Sequence, residues 1–423
     1  MKIPTFIVVG AGQRGFGYTS YIHHYPNEGK VVGVCEPNQI NRNIFTNNFS
    51  IPRENVFNSW EELAGKPKLA DAVIICTQDR MHKDPAIAFA KKGYHILLEK
   101  PMATNPEDCI SIYKTIKDTG VMFAVCHVLR YTDFNIKLKE MIDSGIIGKI
   151  RNIQLLEPVG FAHYAHSFVR GNWRNENESS FMLLAKSCHD IDLINYFINK
   201  KCTKVSSFGS LSYFTKENQP KGAADRCINC PEEIESKCAY SALKMYLRGK
   251  EDNLNQWPIS VLTPIPTVES VSKALEKGPY GRCVYACDND VVDKQIVNLE
   301  FEDGAEASFT MSAFNKGGGR EIYIMGDQGT LRCDDNGIEH YDFLTQTTNK
   351  IDLYAGDGQI TSGHGGGDFG LMKSFLKALK ENNPIYISSG PEISLISHLM
   401  VFAAEKSRKS ETIEKINIDL DNI

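Results

Sequence analysis

With 423 residues, 42% of them hydrophobic and 23% charged, the chain has apolar material for two or three packed domains, which excludes a disordered or fibrous protein. A formal net charge of −5 gives no electrostatic ground for binding nucleic acid, and no apolar run reaches the roughly 18 residues of a membrane span. The amino terminus, MKIPTFIVVGAG, enters a strand directly and shows no signal-peptide cleavage pattern. A cytoplasmic protein is therefore expected, with neither nucleic acid nor membrane as partner.

From Thr5 to about His127, short apolar runs alternate with helical periodicity. TFIVVG, VVGVCE, AVIICT, HILLEK and MFAVCH are apolar throughout and rich in Val and Ile, as parallel strands covered on both faces are. Helices are expected at His82 to Lys92 and Pro106 to Thr119, the second opened by Asn105 as N-cap with Pro106 at the first helical position. This alternation implies an α/β doubly wound parallel sheet with right-handed crossovers.

Beyond about Tyr131 the pattern changes. A helix at Asn135 to Asp143 leads through Ser144-Gly145 to the strand GKIRNIQLLEPV, and another helix is expected around Ser187 to Phe197. KQIVNLEF and AEASFTMSAF flank Asp303-Gly304, while REIYIMG and TLRCD flank a short Asp327 to Gly329 turn; both pairs read as antiparallel hairpins. The second half is thus α+β with a largely antiparallel sheet. A cysteine- and proline-containing stretch at about 215–290 lacks periodicity and reads as an insertion. Helices near Asp368 to Glu381, with Asp368 as cap, and Pro391 to Lys409 close the chain.

Gly10-Ala11-Gly12-Gln13-Arg14-Gly15 fits G-x-G-x-x-G directly after the first strand and at the start of a helix. The first glycine permits the tight turn, the second lets the backbone approach a pyrophosphate, and the third lets helix meet strand. The helix amino terminus adds unpaired N–H groups and partial positive charge. Residues 1–128 are therefore expected to form a Rossmann dinucleotide-binding domain, with Gly10, Gly12, Gln13, Arg14 and Gly15 around the phosphates. Glu36 ends the second run, where an acid accepts from ribose hydroxyls and repels a 2′-phosphate, favouring NAD. Arg14 and Arg42 nearby leave NADP open. AVIICTQDRMH brings Thr77 and His82 to the same edge, Thr77 lining the dinucleotide channel and His82 lining it or capping a helix. Glu99-Lys100-Pro101 ends HILLEKP at the crevice where the cofactor lies, which makes Lys100 a candidate for chemistry and Glu99 its neighbour at the cofactor.

The glycine loop, Glu36 and the Glu99-Lys100-Pro101 motif together make the chain resemble the Gfo/Idh/MocA oxidoreductases, a family of sugar and polyol dehydrogenases. The resemblance implies a second α/β domain, residues 129–423, that supports the active site and joins copies into a homo-oligomer through its sheet. It also implies that Lys100 assists catalysis beside the nicotinamide. The family's third signature, an aspartate, three intervening residues, a histidine and a further aspartate three positions on, falls on Leu184 to Asp192. His189 fits the catalytic histidine and Asp192 the trailing acid, but Ala185 stands where the leading aspartate belongs, with Lys186 beside it. Positions three apart share a helix face, so Lys186, His189 and Asp192 are expected to project together. Lys186 then replaces the missing group as a proton-handling amine or a donor to substrate; the alternative is a solvated helix residue.

The implied reaction is hydride transfer between a secondary alcohol carbon of a sugar, glycoside or polyol and NAD, with His189 as base and Lys100 on the reacting oxygen. Gly160 to Arg174 is dense in His163, Tyr164, His166, Arg170, Trp173 and Arg174 and reads as a sugar-binding segment or as an interdomain or dimer-contact loop. Arg130 is a further candidate for substrate. The glycine-rich run around His364 reads equally as a lid or a linker. Cys227-x2-Cys230, Cys238 and Cys283 (or Cys287) suggest a structural zinc site stapling the insertion, with free thiols, or a disulfide or iron–sulfur cluster, as the alternatives. Two other functions stay open: a redox-neutral NAD-dependent enzyme that oxidises a sugar transiently to cleave a glycosidic bond, and a non-catalytic NAD-binding regulator.

Overall fold

The computed structural model of the chain describes residues 2–334, 337–351 and 364–420. Six strands, β1 (Thr5–Val9), β2 (Lys30–Cys35), β3 (Val56–Phe57), β4 (Ala72–Ile75), β5 (His95–Leu98) and β6 (Phe123–Val125), form an all-parallel sheet in the order β3-β2-β1-β4-β5-β6. The order reverses between β1 and β4, so the crossovers leave toward opposite faces and a crevice opens at the carboxyl ends of these strands. Burial on both faces explains the unbroken apolar runs, with Phe6, Ile7, Val8, Ile74, Ile75, Leu97 and Leu98 in the core. The expected helix forms at Pro106–Thr119: the Asn105 side chain accepts from the Asp108 N–H, and Gly120 at φ +66° ends the helix.

A second sheet comprises β7 (Ile150–Pro158), β8 (Cys202–Ser210), β9 (Lys294–Phe301), β10 (Glu306–Ser312), β11 (Glu321–Gly326), β12 (Gly329–Asp334), β13 (Gly337–Asp342), β14 (Thr347–Ile351) and β15 (Glu414–Lys415). Its order is β14-β13-β12-β11-β7-β10-β9-β8-β15, antiparallel throughout except for the central pair β7 and β10. Both expected hairpins form, β9/β10 through Gly304 at φ +82° and β11/β12 across Asp327 and Gln328. One face is covered by the helices Cys188–Ile198 and Pro391–Ser410, whose Ile191, Ile194, Phe197, Met400, Val401 and Ala404 share a core with Ile153, Leu155, Val297, Phe309 and Ile324.

The carboxyl-terminal part of the chain returns to the first sheet. The Gly367–Glu381 helix places Leu371, Met372, Phe375 and Leu376 against Phe6, Ile22 and Leu97, and Leu395 of the Pro391–Ser410 helix enters the core of the parallel sheet. The 27-residue segment Pro384–Ser410 contains an 18-residue window of mean hydropathy 1.2, long and apolar enough to cross a bilayer by length and composition; here its apolar side chains Leu395, Met400 and Val401 belong to these two cores. Asp368 does not cap its helix. Gly366, in the left-handed region at φ +87°, takes that position, and the Asp368 carboxylate turns to Arg14. The 215–290 stretch has a small core of its own, built from Ala242, Tyr246, Ile259, Val271 and Leu275, and contains the Val268–Lys277 helix with a Thr267/Ser270 capping box.

Candidate active site

Gly10 sits at φ +97°, and a Cβ on it would lie 2.4 Å from the Cys76 carbonyl oxygen; one on Gly15 would lie 2.3 Å from that of Gly10. These two glycines are demanded by the fold itself. Gly12 is different: nothing lies within 4 Å of a Cβ built there, so only an approaching ligand gives a reason for its small size. The helix Gln13–His24 starts after Gly12 with no side-chain cap, which leaves its first N–H groups for an anion. The loop therefore fits a pyrophosphate.

Glu36 is buried and braces this loop, accepting from the Ala11 N–H and the Asn38 N–H, each at 2.8 Å. Thr77 Oγ1 donates to Met81 O at 3.1 Å. The His82 ring lies with Nδ1 2.6 Å from Pro101 O and Nε2 3.1 Å from Thr77 O, tying the turn after β4 to the one after β5. Gln13 Nε2 donates to Ser260 Oγ at 3.2 Å, so the insertion touches the glycine loop. Arg14 is engaged within the protein: its Nε donates to Glu99 Oε1 at 2.5 Å, its Nη1 and Nη2 to Asp368 at 3.0 and 2.9 Å, and it also contacts the Tyr18 hydroxyl.

Glu99 accepts from Arg14, from Tyr18 Oη at 2.9 Å and from the Lys100 N–H at 2.5 Å. Burial alone would raise its carboxyl, but Arg14 and Lys100 outweigh burial and hold it below the usual range. Lys100 Nζ crosses to the other half of the molecule and donates to Ala185 O at 2.7 Å. Lys186 Nζ lies 3.3 Å from Glu157 Oε1, Glu157 Oε2 lies 2.9 Å from Arg320 Nη2, and Arg320 Nε donates to Asp190 Oδ1 at 2.5 Å. Burial holds Asp190 above the ordinary carboxylate range despite Arg320. Arg320 reads in the sequence only as the start of a strand, and nothing in its local pattern marks it as a site residue.

His189 is buried, and burial, then the charge of Lys100, pushes its imidazole well below the ordinary value. It is thus neutral, and its Nδ1 has no hydrogen-bond partner among the described residues. The ring centroid stands 6.1 Å from that of His364 and 5.9 Å from that of His127.

The remaining substrate candidates separate. His163 is edge-on to Trp257 at 5.0 Å, and burial followed by the charge of Lys186 lowers it to about 3, so it borders the lysines. His166 stacks on Tyr280 at 4.7 Å and meets Tyr246 Oη at 3.0 Å through Nδ1; burial lowers it to about 3 as well. Trp257 and Tyr280, both from the insertion, escaped the sequence reading because that stretch has no periodicity to place them. Trp173 Nε1 donates to Asp79 at 3.4 Å. Arg130 and Asp192 form a buried bidentate pair at 2.6 and 2.8 Å, and Ser397 donates to the same carboxylate. Arg170 is fully buried against the insertion, donating to Tyr240 O and Arg282 O at 2.7 Å each. Lys100, Lys186, His189 and His163 therefore converge; Arg130, Asp192 and Arg170 face other protein groups.

The expected zinc centre is not assembled. Among the described residues no group of three or more His, Cys, Asp or Glu is placed to hold a metal. Cys227 Sγ lies 3.6 Å from Arg170 Nη2, Cys283 Sγ accepts from Gln219 Nε2 at 3.8 Å, and Cys287 Sγ donates to Cys283 O at 3.2 Å. Cys227 borders the buried Arg170 guanidinium, Cys283 and Cys287 hydrogen-bond other protein groups, and the insertion's small apolar core supplies the packing that a staple was expected to replace.

Residues 5–127 match the model of the oxidoreductase family, NAD-binding Rossmann fold, and residues 139–414 that of the oxidoreductase family, C-terminal alpha/beta domain. Among curated relatives, the 2,7-anhydro-N-acetylneuraminate hydratase of Escherichia coli is 26% identical over 48% of this chain and 51% of that protein. The scyllo-inositol 2-dehydrogenase (NAD(+)) of Bacillus subtilis is 27% identical over 48% of this chain and 56% of its own. The chain thus spans about half the length of these two relatives. A solved levoglucosan dehydrogenase, in complex with NADH and levoglucosan, has the same fold, with a TM-score of 0.71 over 99% of this chain and 100% of that one at 16% identity. The two family models together cover nearly the whole chain, which belongs to the Gfo/Idh/MocA oxidoreductases.

Proposed function

We propose that the protein is an NAD-dependent oxidoreductase acting on a secondary hydroxyl or keto carbon of a sugar, glycoside or polyol. One observation carries the reading: Lys100 from the parallel-sheet half reaches Ala185 at 2.7 Å, beside a buried neutral His189 from the other half. When bound, the nicotinamide supplies the hydride acceptor or donor. The protein's own groups manage everything else. His189 takes the hydroxyl proton in the oxidative direction. Lys100 donates to the same oxygen and stabilises its negative charge, exchanging the Ala185 carbonyl for substrate. Lys186, oriented by Glu157, is a donor for a neighbouring hydroxyl, and Trp257 and His163 offer ring faces and edges to sugar C–H surfaces.

Glu36 supports NAD over NADP, because a carboxylate held by two backbone N–H groups cannot turn away from an incoming 2′-phosphate. The open face of the second sheet supports association of copies: it exposes Phe208, Ile296 and Tyr323 beside a shallow hollow of about 600 Å³ lined by Gln154, Ser308, Thr310 and Arg332. Twelve free cysteines support a reducing compartment such as the cytoplasm.

The test is nicotinamide absorbance against a panel of inositols, sugars, glycosides and their keto forms. Lys100→Met is expected to keep NAD affinity within about twofold and to lower kcat by roughly 10²-fold or more. Wild-type turnover in that variant, or absence of hydride transfer with the whole panel, would refute the assignment.

A further inference from the structure

Oxidising an alcohol removes one proton, and His189 suffices for that step, yet besides His163 a further imidazole, that of His364, borders His189. His364 sits at φ +57°, in the left-handed region that a non-glycine residue seldom enters. Gly365 and Gly366 follow at φ +59° and +87°. The next helix then lies so close to the Val128–Tyr131 turn that a Cβ on Gly367 would stand 2.4 Å from Val128 O, and one on Gly370 2.1 Å from Tyr131 O. His364, Gly365 and Gly366 thus form a left-handed corner that leads directly into the close-packed Gly367 and Gly370; Thr361, Ser362 and Gly363 lie outside the described residues. The corner brings His364 to face His189 at 6.1 Å between ring centroids.

His364 Nδ1 lies 3.3 Å from Asp368 Oδ1. An ionised carboxylate only accepts, so the proton is on Nδ1 and the Nε2 lone pair is the basic position. Asp368 is itself fixed by the bidentate Arg14, which also holds Glu99, the neighbour of Lys100. The charged and titratable groups acting on His364 are Asp368 on the helix it introduces, Arg14 of the glycine-loop helix, Lys186 and His189. The structure thus carries an Asp–His pair, anchored to the cofactor loop, opposite the first base.

We propose that His364 is a second acid–base group and that it gives the site a second activity, enolisation of the bound keto sugar. Nε2 of His364 takes a proton from the carbon next to the carbonyl. The C–H electron pair forms the C=C bond, the carbonyl π pair moves onto oxygen, and the Lys100 ammonium hydrogen-bonds the resulting enolate. Return of a solvent-exchanged proton to the same carbon restores the ketone, with no oxidant or reductant consumed. The proposal rests on the oxidoreductase reading for the presence of a keto sugar in the site.

The experiment incubates the enzyme, loaded with NAD+ so that no hydride donor is present, with a keto-inositol or keto-glycoside in D2O and follows proton NMR. The wild type is expected to exchange the proton next to the carbonyl well above the buffer rate, and His364→Gln to exchange it about 10²-fold more slowly. Reduction of the same ketone by NADH is expected to fall less than tenfold in that variant. Equal exchange by both proteins overturns the proposal and leaves the oxidoreductase reading intact. Failure of the wild type to reduce any ketone overturns that reading instead. Histidine 15N–1H spectra decide the matter independently of turnover: a neutral His364 protonated on Nδ1 near neutral pH is expected, and an Nε2–H tautomer or a charged ring overturns the assignment.

Discussion

Ala185 and Lys186 change the charge arithmetic of the site. The Lys100 ammonium meets the Ala185 backbone carbonyl, and two further cations, Lys186 and Arg320, share the buried carboxylates Glu157 and Asp190. Arg320 is the member on which the others depend, because it alone touches both acids. Removing it leaves Asp190 with an unpaired buried carboxyl and Glu157 with Lys186 only. Arg320→Met is therefore expected to destabilise the protein by about 3–5 kcal/mol, read from urea denaturation. Lys186→Met, which leaves Glu157 its arginine, is expected to cost clearly less. Equal losses in the two variants would show that Lys186 and Arg320 are interchangeable supports.

At the scale of the element, the glycine loop offers a separation of fold from function. Gly10→Ala must place a methyl group 2.4 Å from Cys76 O at φ +97°, so it is expected to lower thermal stability together with NAD affinity. Gly12→Val meets empty space. It is expected to leave the free energy of unfolding within the range of ordinary surface substitutions, about ±0.5 kcal/mol, while weakening NAD by at least about tenfold in calorimetric titration. A Gly12→Val protein that binds NAD normally would remove this loop from the cofactor site. The strands and most helices were legible in the sequence for the same reason that this loop was: a period of two or 3.6, or a glycine spacing, records purely local geometry. Lys100 and His189 were legible because motif spacing marks them. Arg320, Trp257, Tyr280 and the partners of Arg130 were not, because each reaches the site or its mate across long stretches of chain, and no local pattern encodes that meeting. The zinc expectation failed in the same way: the C-x2-C spacing was local, but Arg170, 57 residues before Cys227, set what surrounds the thiols.

Across the whole molecule, the seams between the parallel sheet, the second sheet and the insertion are closed by neutral histidines. His398, on the long carboxyl-terminal helix, accepts the Met102 N–H at 2.8 Å on Nε2 and donates through Nδ1 to Ser394 O. His166 joins the Ala165–Arg170 turn to Tyr246 of the insertion, and His163 meets Trp257. Burial lowers all three to about 3. The unfolded chain takes up these protons near pH ~6.5 whereas the folded chain refuses them. Their stabilisation is therefore complete above ~6.5 and is lost progressively as pH falls toward about 3. Each such group contributes a slope of about 1.4 kcal/mol per pH unit. Asp190, raised by burial, has the opposite sign, retaining in the folded state a proton that the unfolded chain releases above ~3.9, and so subtracts at most one proton from that slope. From these groups the expectation is a loss of about 3 to 4 kcal/mol per unit below pH ~5.5, or about 7 to 10 kcal/mol by pH ~3, comparable with an ordinary stability of roughly 5–15 kcal/mol; His189, lowered in the same direction, steepens the limb further. Urea denaturation at a series of pH values measures this slope directly. His398→Gln, which removes one of the three protons, is expected to start from a lower stability at neutral pH and to flatten the acid limb by about 1.4 kcal/mol per unit. An acid limb equally steep in that variant would mean that His398 does not couple the seam to pH.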